Sequence, residues 1–425
     1  MESSTGAKAG AETGATYGRP VPGPRDAASW RRDPLSFLRA EFDGRQDIWR
    51  SASGRLCVAG PGAAREVMGN RRGLFEETSD FFHTRSGIFG PRDAQVDIGR
   101  GARALLRRRL DAGRAELPRL VKDRLVPVSS WPDAGNLLVR EHLADVLLCR
   151  QAPAPLRQAV DGVVTRAVLA GARERHSVAS RFVFRRRVMR LLASEIRTRR
   201  TALSASAKCA GDPRDLLDVV VTDGGPSARP DDLAEVYLSF LFATVGSIGF
   251  ALGWAVYLVG TGPGPGTDTG QCPASGPAFG LDGPEPEWIV REALRLWPVA
   301  WLFTRKPSSA HDLAGVPVGP RDDVDVCSYL MHRHPQHWDR PDEFVPGRWA
   351  TPPRDPAFMP FGYGPHSCAG ATVTMTLLTD LVRVITHDRH LSITGAGSGP
   401  QLGPALAPPR FTARLSDRTD SPGGR

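Results

Sequence analysis

The chain has 425 residues, 41% of them hydrophobic and 24% charged, a globular balance that excludes low-complexity and fibrous classes and makes a packed enzyme the default. Its formal net charge is +9, and of its 55 basic residues only Lys8, Lys122, Lys208 and Lys306 are lysine. That bias, beside abundant Ala, Gly and Pro, is what a GC-rich coding sequence gives, so it is no argument for nucleic acid, though it could steer an acidic partner. Six cysteines, at 57, 149, 209, 272, 327 and 368, show no Cys-x-x-Cys pair and follow no signal peptide. This argues against a disulfide framework and a zinc site, and for a reducing cytoplasm.

Residues 1–24 are rich in Gly, Ala, Ser and Pro and have no apolar h-region, which reads as a disordered leader rather than a targeting signal or membrane anchor. Residues 47–59 read as a hairpin around Ser53-Gly54, and Pro61 opens a helix to about Gly69. Residues 71–98 lack a clean period and hold Phe75, Phe81, Phe82, Ile88 and Phe89, like a long functional loop. Helices are expected over 100–125, 138–149, 156–172 and 178–203, the last with eight arginines between Arg181 and Arg200. That basic helix carries no nucleic-acid motif, so it reads as a solvated face.

From Leu238 to Val259 the sequence runs 22 residues without a charge, long enough for a membrane span. Interruptions at Ser239, Thr244, Gly246, Ser247, Gly249 and Gly253 point instead to a core helix, capped by Asp231. A Gly/Pro-rich loop over 260–284 precedes a helix from Glu285 to Trp297, stopped by Pro298. Strand-like pieces follow at 299–304 and 311–327. An irregular run from His332 to Pro360 leads to a last helix over Ala369–Thr386. The expected architecture is mainly α with small β-sheets, as a single domain over residues 25–415, with a disordered tail over 416–425.

Residues 361–370 read Phe-Gly-Tyr-Gly-Pro-His-Ser-Cys-Ala-Gly. Gly362, Gly364 and Gly370 allow a tight turn and close backbone approach. A helix starting after Cys368 aims its N–H groups and positive dipole end at the sulfur, which lowers the thiol pKa. For Cys57, Cys149, Cys209, Cys272 and Cys327 a small buried hydrophobe is the better reading.

This segment resembles the haem-binding loop of the cytochromes P450, Phe-x-x-Gly-x-x-x-Cys-x-Gly, with Phe361, Gly364, Cys368 and Gly370 at its fixed positions. Upstream, Glu292-Ala-Leu-Arg295 and Phe344-Val-Pro-Gly-Arg348-Trp349 resemble the family's Glu-x-x-Arg pair and the segment that gives it a second arginine. The resemblance implies the P450 fold, haem b with Cys368 as its iron ligand, and a structural Glu292–Arg295–Arg348 network. Phe361, Gly362, Gly364 and Gly370 are implied as the loop residues that lie against the haem. Propionate contacts are implied from His366, Arg305 and, from the stretch Leu106-Arg107-Arg108, Arg107. Substrate contacts are implied at Phe81, Phe82, Phe89, Phe242, Thr244, Val245, Val299, Trp301 and Leu302.

One departure stands out. Against the family's Ala/Gly-Gly-x-Asp/Glu-Thr pattern, Ala243 and Thr244 take the first two places, Gly246 stands where an acid is usual, and Ser247 where a threonine is usual. The hydroxyl of the acid–alcohol pair is kept, and the carboxylate is missing. The implied function is oxidation of a small natural-product molecule with O2 and electrons from a separate ferredoxin and its reductase. Hydroxylation comes first, with Ser247 and water delivering protons. Aryl coupling or epoxidation is the alternative that needs the relay less. A catalytically silent partner protein is the rival from another class. A cytoplasmic protein without membrane or nucleic-acid partner is expected.

Overall fold

Proline opens helix after helix in this chain, at a position where its missing N–H costs no hydrogen bond and its fixed φ suits the first turn. The computed structural model describes residues 24–417 except 80, 170–175, 206–211, 263–283, 352–356, 387–388, 398 and 404. The expected leader up to residue 23, the tail from 418, Cys209, Cys272 and most of the 260–284 loop lie outside the described residues. Proline is the first residue of α1 (Pro24–Arg32), α2 (Pro34–Glu41) and α3 (Pro61–Gly69). Asp33 caps α2 by accepting from the Ser36 N–H at 3.1 Å.

The hairpin β1 (Ile48–Arg50) and β2 (Leu56–Val58) forms where expected. The loop expected over 71–98 is shorter: a second hairpin, β3 (His83–Thr84) and β4 (Gly87–Ile88), interrupts it, and α4 (Arg92–Gly113) starts well before residue 100. Pro91 fixes the N-cap and Asp93 complements the dipole in the first turn. After a 3₁₀ turn come α5 (Leu117–Leu125), β5 (Val128–Trp131), α6 (Asp133–His142), α7 (Ala144–Leu147) and α8 (Ala154–Val163). The long α9 (Val178–Ala205) and short α10 (Leu216–Asp223) follow, Asp215 capping the latter.

The apolar run is one helix from Pro230 to Thr261, made of α11 (Pro230–Leu241), a π-turn over Phe242–Ser247 and α12 (Ile248–Thr261). Asp231 is not its cap. Arg229 holds that position, and Asp231 with Asp232 lies in the first turn. The helix passes through the main apolar cluster, in contact with α6, α9 and the later helices over 286–296 and 371–386, so its hydrophobicity is that of a core element.

Then come α13 (Pro286–Leu296), β6 (Leu302–Arg305), β7 (His311–Leu313), β8 (Val316–Val318), β9 (Val324–Cys327), α14 (Ser328–Met331), α15 (Ala371–Thr386), β10 (Arg389–Thr394) and β11 (Phe411–Asp417). The first two residues of the expected tail thus belong to a strand. The strand order β1-β2-β9-β6 makes one sheet, with β2 parallel to β9, and β10-β11-β5 makes an antiparallel second. The first sheet has its own apolar clusters, while the helices share the large one. Between these two bodies run α13, the irregular segment after α14 and the Cys368 loop.

Candidate active site

The Cys368 loop is built by glycines and closed by backbone hydrogen bonds. Gly364 has φ +76°, and a Cβ there would stand 2.8 Å from the Cα of Gly69 and 2.9 Å from the Met68 carbonyl oxygen. Only glycine lets the loop lie so close on the end of α3. Gly362 serves the turn as well. Its φ is +70°, so the turn does need glycine there, but a Cβ would meet only side chains at ordinary contact distance, Met68 at 3.7 Å and Phe303 at 3.8 Å. The side on which a Cβ would stand faces the sheet-side packing of Met68 and Phe303. Gly370 lies beside the cysteine, its would-be Cβ 3.8 Å from the Cys368 sulfur, and Phe361 is half buried against the main core.

The Cys368 N–H donates to the Phe361 carbonyl at 2.9 Å, and the Thr374 N–H donates to that of Gly370 at 2.8 Å, so α15 starts just beyond the cysteine. Solvent reaches Cys368, yet the protein around it pushes its thiol pKa up, while the N–H of Gly370 draws it down. The sulfur therefore lies in a recess, with one backbone donor.

A fully paired polar network braces the approach to that loop. Glu292 and Arg295 are completely buried. Arg295 donates to both Glu292 oxygens at 2.8 and 3.0 Å, and to the carbonyls of His332, Pro341 and Glu343 at 2.8, 2.6 and 2.9 Å. All its donors are used. Glu292 further accepts from Arg348 Nε, the Val345 N–H and Trp349 Nε1 at 3.0, 3.0 and 2.9 Å. The structure thus brings Glu292, Arg295 and Arg348 together, as the sequence expected.

His332 extends this network and has no signal in the sequence. Its Nδ1 faces the Arg295 carbonyl at 3.1 Å, and its Nε2 accepts from the Met359 N–H at 2.9 Å. Burial, with the charge of Arg295, pushes its pKa down to about 3. A neutral ring therefore ties α13 to the residues entering the Cys368 loop.

A cationic edge forms beside the loop. His366 Nδ1 meets Arg92 Nη1 at 3.2 Å, and its Nε2 meets Glu77 Oε1 at 3.0 Å. With Arg92 as donor, the ring is neutral and Nε2–H donates to Glu77. Burial first, and then Arg92, lower the His366 pKa, and Arg305 adds to the effect. Buried Arg305 therefore belongs to the same edge.

Arg107 does not belong to it. It is exposed, with no partner among the described residues. The register of α4 is the reason: Gly99 faces the loop, its would-be Cβ 3.2 Å from that of Ala369, and Arg92 lies two turns before it on the same face. Arg103, one turn after Gly99, is half buried and lies nearer the loop than Arg107.

The π-turn holds the other candidates. Thr244 and Gly246 are buried and Ser247 is half buried. Elsewhere in the helices Thr198, Thr201, Ser239, Thr261, Thr376 and Thr386 donate to the carbonyl four residues back. Among the described residues, Thr244 and Ser247 find no such acceptor, and their hydroxyls are left open. A Cβ at Gly246 would meet only Val168, at 3.7 Å.

Of the expected substrate contacts, Phe81, Phe82 and Phe89 join an aromatic cluster with Phe240, which the sequence reading missed: Phe81 stands edge-on to Phe240 at 4.6 Å and to Phe82 at 5.0 Å. Phe242 is exposed, whereas Val245 and Val299 are buried in the main core. Trp301 is buried in a separate cluster with Cys57, Trp254 and Tyr329, and Leu302 packs beside it.

Residues 286–384, from α13 into α15, match the family model of cytochrome P450. P450 OxyD, from the biosynthesis of vancomycin-type antibiotics, superimposes with a TM-score of 0.63 at 18% identity, over 95% of this chain and 99% of its own. Residues 286–384 thus carry a cytochrome P450 signature, and the chain has the P450 fold. CYP102L1, a P450 too, gives a TM-score of 0.64 at 20% identity, covering 91% and 98% of the two chains. Among curated P450 relatives, cyclooctatin synthase of Streptomyces melanosporofaciens is 30% identical over 186 residues, 40% of each chain. Pentalenene oxygenase of Streptomyces avermitilis is 32% identical over 157 residues, 33% of this chain and 35% of its own. The aligned part is thus well under half the length of these relatives.

The P450 family and fold imply a haem, and the residues present fit one. A thiol in a recess with one N–H donor suits an iron ligand, and His366, Arg92 and Arg305 gather where carboxylates need cations. Glu77, the carboxylate on His366, marks what that edge accepts.

Proposed function

We propose that this P450 is a haem-thiolate monooxygenase that takes electrons from a separate ferredoxin and reductase and hydroxylates a small apolar natural product. The observation that carries the reading is the Cys368 thiol, open to solvent in a glycine-built recess, with only the Gly370 N–H on its sulfur. Bound there, the haem would supply dioxygen binding and O–O cleavage, which a donating thiolate favours. Cys368 must lose its proton to ligate, and the Gly370 N–H moderates the charge that results. His366, Arg305 and Arg92 would hold the propionates of the haem. Thr244 and Ser247 hold and pass protons from hydroxyls no protein acceptor claims, and Gly246 leaves room for water where relatives place a carboxylate. The aromatic cluster of Phe81, Phe82 and Phe240, with exposed Phe242, excludes water and receives an apolar substrate.

The natural-product setting follows from the names of the relatives: an oxygenase of pentalenene, a synthase of cyclooctatin and an antibiotic-pathway P450. A cytoplasmic protein without membrane or nucleic-acid partner accords with the buried apolar helix. Gly246 favours a second reading, oxidative aryl coupling or epoxidation, in which the proton relay matters less. The intact Cys368 loop and Glu292 network speak against a silent partner protein, which is free to lose both.

The test loads the protein with haem, supplies a ferredoxin, its reductase and NADPH, and screens apolar natural products such as pentalenene under 18O-labelled dioxygen. A product with one labelled hydroxyl supports hydroxylation. A coupled, unlabelled product or a labelled epoxide supports the second reading. Reducible haem with no turnover of any compound counts against both.

A further inference from the structure

The π-turn is held from outside by a residue with no counterpart in the motifs of the sequence. Asn136, on α6, is completely buried. Its Nδ2 donates to the Val245 carbonyl at 2.8 Å and to the Gly246 carbonyl at 3.2 Å. These lie within the π-turn, where the regular ladder is broken and carbonyls need other donors. The amide orientation is fixed, because a flipped Asn136 would set its oxygen against two carbonyl oxygens.

The contact is built in. A Cβ at Gly249 would stand 2.3 Å from Asn136 Nδ2 and 2.7 Å from its Cα, and one at Gly135 would stand 2.8 Å from the Gly249 carbonyl. The two helices therefore cross on facing glycines, and that crossing lets a short amide reach the turn. The other half of the amide is unusual: Asn136 Oδ1 is buried without a protein partner. A buried amide oxygen left open costs about 1–3 kcal/mol unless water meets it. A fold using Asn136 only as a staple had no need to keep that acceptor.

We infer that Asn136 is a positioning residue for the Thr244 and Ser247 hydroxyls, acting through the π-turn, and that its Oδ1 holds a buried water at that turn. In a chain with Gly246 in place of an acid, the hydroxyls depend on backbone geometry for their aim, and Asn136 sets it. This rests on the role given above to Thr244 and Ser247, and the experiment separates the two.

Asn136→Leu keeps the branching and heavy-atom count and removes the donors, while Asn136→Asp keeps the shape and can donate only when protonated. In Asn136→Leu, amide hydrogen exchange at 248–251 should quicken at least tenfold. In the haem-loaded protein, peroxide released per NADPH consumed should rise severalfold, with no further rise when Ser247→Ala is added. Asn136→Asp should approach wild-type exchange and peroxide release at low pH and depart from both as pH rises. Unchanged exchange in Asn136→Leu, peroxide effects that add to those of Ser247→Ala, or a pH-independent Asn136→Asp would each overturn the proposal. If the protein takes up no haem, the proposed function fails, and the exchange measurement still decides whether Asn136 holds the turn.

Discussion

The two halves of the site treat polar groups in opposite ways. Around Glu292 and Arg295 each polar contact is answered by protein: five donors of one guanidinium, both oxygens of one carboxylate, and the neighbouring His332 ring. Along the π-turn, Thr244, Ser247 and Asn136 Oδ1 are left without protein partners among the described residues. Closure suits a brace, because a half-satisfied buried network is worse than an apolar core. Openness suits a place where water and substrate must come and go. The buried Thr244 and half-buried Ser247 hydroxyls, with Asn136 Oδ1 beside them, are where this half of the site stays open.

The largest expected effect comes from breaking the closed half. Glu292→Ala would leave Arg295 buried without its counter-charge, a loss of about 3–5 kcal/mol. Denaturant melts of wild type and variant measure it, and a loss below about 1 kcal/mol would mean the network is not the brace described. Acid comes next. The His332 pKa is depressed to about 3, so its contribution is complete above the unfolded value near 6.5 and drains away as pH falls toward 3, at about 1.4 kcal/mol per pH unit. His142, buried and pushed down to about 4, adds the same slope down to its own pKa. Melts from about pH 7 to 4.5 should steepen accordingly, and His332→Asn should remove its share; an unchanged slope in that variant would exclude the assignment.

Two glycines sharpen the contrast within the open half. Gly249→Ala must displace Asn136 and should cost about 1–3 kcal/mol by overpacking. Gly246→Ala meets only Val168 at van der Waals distance and should be neutral or stabilising by up to about 1 kcal/mol. Equal melting temperatures for the two variants would contradict the packing of α6 on the long helix. The smallest effect separates two arginines on α4: Arg92→Ala should speed haem loss to apomyoglobin a fewfold, and Arg107→Ala should not change it.

What could be read from the sequence divides along the same line. The Cys368 loop, the Glu292–Arg295 pair and the Arg348 segment are contiguous signals whose glycines and i, i+3 spacing carry their own geometry. Even there, the spacing shows that Gly362 and Gly364 are turn glycines but not which neighbour each one faces, since Met68, Gly69 and Phe303 come from distant elements. Asn136 meets residues 109 and 110 positions away, and Arg92 meets His366 across 274. No local pattern announces such contacts. Arg92 and Arg107 both lie on α4, and that Arg92 is the one that meets His366 depends on where the helix starts. Just before a strand, Trp301 could face either cluster, and the partners that settle it, Trp254 and Tyr329, are far off in sequence.

Ligation through Cys368 is tested most directly by the carbon monoxide difference spectrum of the reduced, haem-loaded protein. A strongly red-shifted Soret band that disappears in Cys368→Ala is the predicted result. The ordinary band of a neutral-ligand haem in the wild type, or a red-shifted band that survives Cys368→Ala, would contradict it.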